Sequence, residues 1–122
     1  MVLRAYPKGL LVSQVAAEVA KDCAELAKTF RGPGRFARGD QLVRASLSVV
    51  SNVAEACGRG TVPDFRRMLL VARGSAQETL AQLHLIEAET PAQQSQVRSL
   101  QNRTAFVIKL INRLYANPPP DK

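Results

Sequence analysis

Apolar residues recur at steps of three and four along most of the chain, and polar or glycine-proline stretches cut them into four segments. Val12, Val15, Val19, Cys23, Leu26 and Phe30 share one helical face, with Lys21, Asp22, Glu25 and Lys28 off it, which predicts a first helix over about 10–29. Arg31-Gly32-Pro33-Gly34 ends it. A second helix runs over about 38–57 and closes at Gly58 and Gly60. Thr61 caps a third, with Pro63 and Asp64 in its first turn, predicted over 62–88. Thr90 to Gln93 reads as a capping box opening a fourth helix over 91–115, before Asn117 and three prolines. Segments 1–8 and 117–122 are expected to be flexible ends.

On the fourth helix, Val97, Leu100, Thr104, Val107, Ile111 and Leu114 form a bundle seam. Phe106, Ile108 and Leu110 lie outside it and suggest a second buried face, hence a neighbouring subunit. No strand-like alternation of useful length occurs. The pattern therefore predicts a single all-α domain over 1–122, an antiparallel up-down-up-down four-helix bundle.

One stretch breaks the pattern. Arg44, Ser48, Asn52, Glu55 and Arg59 recur at steps of three to four and stack on one face of an otherwise apolar second helix. Such a ladder faces water or lines an interface whose polar groups are paired. Structurally, Glu55 and Arg59 can pair, Asn52 can reach Ser75 or Glu78, and Arg44 can pair with Glu78 or Glu55. Functionally, Arg44 and Arg59 could hold phosphates. Gly74, mid-helix before Ser75, costs about 1 kcal/mol of helix propensity, and close approach of another backbone would compensate.

Charge adds a partner class. The chain has 17 Lys and Arg against 10 Asp and Glu, a formal +7, which favours polyanions. Residues 31–73 hold eight arginines, no lysine and three acids, and residues 91–115 hold four cations and no acid. Arg31, Arg35 and Arg38, in or beside the glycine-rich loop, and Arg66, Arg67 and Arg73 on the third helix are the candidate nucleic-acid contacts; the alternative is solvated arginine. Phe36 is the sole aromatic among the first three, which argues for backbone contacts over base reading.

Other chemistry finds little support in the residues. His84 is the single histidine, Ser48, Ser51 and Ser75 have no evident base, and Glu87 and Glu89 fall on different helix faces. No phosphate-loop, serine-hydrolase or metal-ligand spacing is present, so neither catalysis, cofactor nor metal is expected. Cys23 and Cys57 read as small buried residues in a reducing compartment. No apolar run is long enough to span a membrane, and the cytoplasm is the default compartment.

The middle of the chain resembles the bacterial four-helix-bundle family named for 23S rRNA intervening sequences, also called S23-type proteins. The family pattern QxxRAxxSxxxNIAEGxGR, then FxxFLxxAxGSxxE, is matched by Gln41, Arg44, Ala45, Ser48, Asn52, Val53, Ala54, Glu55, Gly58 and Arg59. It resumes at Phe65, Leu69, Ala72, Gly74, Ser75 and Glu78. Ala56 replaces the usual glycine, Met68 a common aromatic, Arg38 a typical leucine, and the first helix lacks the usual tryptophan. The resemblance spans roughly residues 10–115. It implies a protomer that assembles into a ring-shaped homopentamer, and relatives that include basic accessory proteins of diversity-generating retroelements, which bind a reverse transcriptase and nucleic acid. On that reading Gly74, Ser75, Glu78 and the Arg44-to-Arg59 ladder are structural or interface residues. The expected function is nonspecific binding of RNA or DNA backbone by a non-enzymatic oligomer, as accessory to a nucleic-acid enzyme. The alternative is a protein-interaction scaffold whose charge is incidental.

Overall fold

The computed structural model describes residues 10–119 and is all-α among them: α1 Leu11–Ala27, α2 Arg35–Cys57, α3 Val62–His84 and α4 Pro91–Ala116. Of the expected flexible ends, 1–8 and 120–122 lie outside the described residues, and residues 117–119 follow α4 without helical structure. Each helix packs on its sequence neighbours, and α1 also packs on α4, closing the bundle; the backbones of diagonal helices stay apart.

Local chemistry sets the helix ends. Thr61 Oγ1 accepts from Asp64 N at 3.3 Å and Thr90 Oγ1 from Gln93 N at 3.1 Å, satisfying backbone donors that a helix start leaves unpaired. Gln93 does more than the capping box requires. Its Oε1 accepts from Glu89 N, and its Nε2 donates to Thr29 Oγ1 at 2.9 Å, tying the start of α4 to the end of α1.

Three boundaries differ from the periodicity. α2 begins at Arg35, ahead of residue 38, because Gly32 and Gly34 take left-handed φ of 82° and 77° and turn the chain directly into the helix. α3 stops at His84, short of Ala88: Leu85 N and Ile86 N bond three residues back, and the chain then peels away toward the Thr90 cap. α1 ends at Ala27, with Thr29 and Phe30 making the same tightened bonds.

The core forms two clusters. One gathers Val12, Val49, Val53, Phe65, Leu69, Val107 and Ile111; the other gathers Val19, Cys23, Leu26, Leu42, Leu83, Val97 and Leu100. Gly39 is buried, and a Cβ there would stand 3.2 Å from Ala27 Cβ, so α1 and α2 approach closely at that point. Leu110, expected outside the seam, is buried in the protomer's own core, and Ile108 packs partly against it. Of the three residues proposed for a second face on α4, only Phe106 stays exposed, at 40%. The bundle absorbs the others because its α4 surface is wider than a two-position seam.

Candidate nucleic-acid interface

The polar ladder on α2 looks outward along the α2–α3 seam. Arg44 and Glu55 are exposed, and Ser48, Asn52 and Arg59 are half-buried. Ser48 and Ser75 share a hydrogen bond of 2.9 Å, the side-chain link between α2 and α3. Asn52 does not cross to α3: its Nδ2 donates to Ser48 O and Ser48 Oγ on its own helix, at 2.8 and 3.0 Å. Arg44 pairs with neither Glu78 nor Glu55. Glu55 is taken by Arg59, one turn away at 2.6 Å, and Glu78 accepts from Gln82. Helical proximity won over the longer reach. A Cβ on Gly74 would meet nothing within 4 Å, so the close approach expected there is absent within the protomer.

The six candidate arginines fall in three places. Arg31, Arg35 and Arg38 gather at the α1–α2 connection, where Arg38 donates to Arg31 O at 2.8 Å and lies over the Phe30 ring at 5.5 Å. Arg31 and Arg38 line a cavity there with Leu85, Ile86, Glu87 and Glu89. Arg66 is at the far end of α4, donating to Tyr115 O at 2.8 Å and stacking over the Tyr115 ring at 5.4 Å. Arg73 donates to Asn112 Oδ1 at 3.0 Å. Arg67 is on the other side of α3, with Asp64 3.7 Å away.

Helix phase explains the division. Arg66, Leu70, Arg73 and Gln77 share the α4-facing stripe of α3, whereas Asp64, Val71, Ser75 and Glu78 share the α2-facing stripe. On α4, Arg98, Asn102, Phe106, Lys109 and Arg113 form an exposed outward stripe. No acid stands on that stripe or on the α4-facing stripe of α3, and none occurs anywhere from Pro91 to Ala116. Arg66, Arg73, Arg98, Lys109 and Arg113 therefore share one acid-free surface about 22 Å long between Arg98 and Arg113, at 1.5 Å per residue. Arg103, on the opposite edge of α4, pairs with Asp22 of α1 at 2.7 Å.

Arg98, Lys109 and Arg113 were not among the candidates. Their signal was the lack of acids over 91–115, but joining them to Arg66 and Arg73 needs the fold. By contrast, the α2–α3 side mixes Asp40, Arg44, Glu55, Arg59 and Glu78 and carries exposed Leu47 and Val71, 50% and 45% accessible. The two faces differ in charge: the α3–α4 face carries cations and no acid, the α2–α3 face carries both signs, and each also exposes apolar side chains, Leu70 and Phe106 on the first and Leu47 and Val71 on the second.

The remaining reactive groups are quiet. Burial pushes the Cys23 thiol up to about 11, only partly offset by a hydrogen bond from Ser46 and the Arg103 charge; burial raises Cys57 too. Both are free thiols. His84 is exposed, with Gln101 Nε2 3.3 Å from its Nδ1. Among the described residues no group of three or more His, Cys, Asp or Glu could hold a metal ion, and no helix is long and apolar enough to cross a membrane.

A family model for the 23S rRNA-intervening sequence protein matches residues 8–113. Among solved structures, the chain is similar to a protein of unknown function from the S23 ribosomal protein family of Bacteroides thetaiotaomicron. The two are 26% identical with a TM-score of 0.75, over 86% of this chain and 98% of that one. No curated protein matches the chain.

Proposed function

The chain belongs to the 23S rRNA-intervening sequence protein family, and from that premise we propose that it binds the phosphate backbone of RNA or DNA through the α3–α4 face. The observation that carries this reading is the acid-free surface bearing Arg66, Arg73, Arg98, Lys109 and Arg113. Neutralising a phosphate releases condensed counterions, a gain that needs cations and no base-specific geometry. Arginine supplies four of the five groups and suits bidentate contact with phosphate.

We further propose that the protomer is an up-down-up-down bundle that self-associates, as a homopentameric ring, through the outward side of α2 and α3. Supporting that assignment are the short connections, exposed Leu47 and Val71, and the open backbone at Gly74. A ring would repeat the basic face on every copy, and avidity would strengthen weak contacts. In this reading the protein is a non-enzymatic cytoplasmic accessory to an enzyme that acts on nucleic acid, such as a reverse transcriptase.

The test is retention of a labelled single-stranded RNA over a salt series. Binding at about 50 mM salt that falls steeply by 200 mM supports phosphate contacts. An intact oligomer that binds nothing at 50 mM overturns the reading and favours a protein-interaction scaffold. Replacing Arg66 and Arg73 by Glu should abolish binding, whereas Arg67→Glu should not.

A further inference from the structure

Phe36 is 76% exposed, the largest exposure of any aromatic among the described residues, and it lies at the opposite end of the bundle from Tyr115. The Arg35 guanidinium carbon lies 4.5 Å from the centre of its ring, covering one face. With that face occupied, the accessibility must come from the other face and the edges. Segment 31–39, reading RGPGRFARG, has three arginines and no acid.

Two guanidinium-aromatic stacks stand side by side here, Arg35 on Phe36 and Arg38 on Phe30. Their settings differ. Phe30 is half-buried against the second core cluster, so it has a packing role. Phe36 has none. The acids that line the clefts at this end are Asp40, beside Phe36 and Arg35, and Glu87 and Glu89, across the cavity from Arg31 and Arg38. None of the three forms an ion pair with an arginine of this segment. The arginines thus keep donors available to an incoming anion.

We propose that Phe36 is a stacking platform for an unpaired nucleobase, with Arg31, Arg35 and Arg38 holding the flanking phosphates, so that the protein prefers single-stranded over duplex nucleic acid. The inference extends the phosphate-binding reading of the α3–α4 face to a second place. A planar π-face with guanidinium groups around it takes any base, because every base can stack, and needs no hydrogen-bond reading. In a duplex both faces of each base are already stacked, so the ring has nothing to receive.

The chain contains no tryptophan, so Phe36→Trp introduces a unique indole, excited selectively over tyrosine, at the proposed contact. Titration with a 12-nucleotide single strand, in RNA and DNA forms, should quench its emission. The same length of duplex should leave emission unchanged. Phe36→Ala should weaken single-strand binding about tenfold, within the range for loss of one base-aromatic stack, and leave the salt dependence as it was. The exposed site makes misfolding of these variants easy to exclude by their helical circular dichroism. Unquenched emission with undiminished single-strand affinity of Phe36→Ala would overturn the stacking site while leaving the α3–α4 face intact. Complete lack of salt-sensitive binding by the unmodified protein would overturn both. A change in solution mass of Phe36→Ala with no change in binding would assign the ring to self-association and overturn the proposal.

Discussion

Replacing Arg73 and Lys109 by Gln removes two of five cations from the α3–α4 face without placing a new charge there. Lys109 is exposed and makes no ion pair, and Arg73 gives up one exposed hydrogen bond to Asn112, worth at most about 1 kcal/mol. The fold should therefore survive. For single strands, each phosphate contact contributes about 0.7 to the slope of log affinity against log salt, so the five contacts of this face contribute roughly −3.5 and the three left in the double variant roughly −2.1, with any contribution of Arg31, Arg35 and Arg38 common to both proteins. Between 50 and 200 mM salt this face should then account for about a 100-fold loss of affinity in the unmodified protein and about a 20-fold loss in the double variant. Fluorescence anisotropy of a labelled 12-nucleotide RNA, measured at four salt concentrations, reads both slopes. The matched control is Arg44→Gln with Arg67→Gln, which removes the same charge from the α2 side and should leave the slope near its original value. Equal slopes for the two double variants would refute the assignment of phosphate contacts to α3 and α4.

Other consequences follow from the same geometry. Ser48→Ala should cost about 1 kcal/mol, because it removes the link to Ser75 and one acceptor of Asn52. In a double-mutant cycle with Ser75→Ala, measured by urea unfolding, the coupling should be about 0.5–1 kcal/mol; zero coupling would mean the bond does not join the helices. The Cys23 pKa is raised to about 11 from an ordinary 9.0, so the folded state holds its proton more tightly than the unfolded chain does. That stabilisation is complete below pH 9 and is lost as pH rises through 11, so the thermal midpoint should fall across that window more steeply than in Cys23→Ala. Gly74→Trp, whose side chain has open space in the protomer, should reduce the light-scattering mass from about five times 13.3 kDa toward that of one chain; an unmodified protein already at 13.3 kDa would contradict the ring.

The helices were legible because apolar spacing and capping residues are local signals. Thr61 and Thr90 cap α3 and α4, and Val97, Leu100, Thr104, Val107 and Ile111 are all buried. The ends were less so. Gly34 was read as a stop for α1, whereas its left-handed turn also starts α2. The close contact at Gly39 left no sequence signal, since its partner Ala27 lies on another helix. Leu110 misled because heptad counting allots two positions per turn pair, and a four-helix core draws on more of the surface. The basic face was half visible. An acid-free α4 is plain in the charge distribution, but which cations of α3 join it depends on helix phase and on which neighbour each stripe meets. That also divided Arg66 from Arg67, adjacent in the chain and on different sides of the helix.

Lysine acetylation footprinting with and without single-stranded RNA tests the placement of the nucleic acid most directly. Lys109 is the single lysine of α4, and Lys21 is exposed on α1, so one protein carries both the probe and its control. Bound RNA should protect Lys109 and leave Lys21 reacting at its free rate. Protection of Lys21 with Lys109 still fully reactive would contradict an α3–α4 interface.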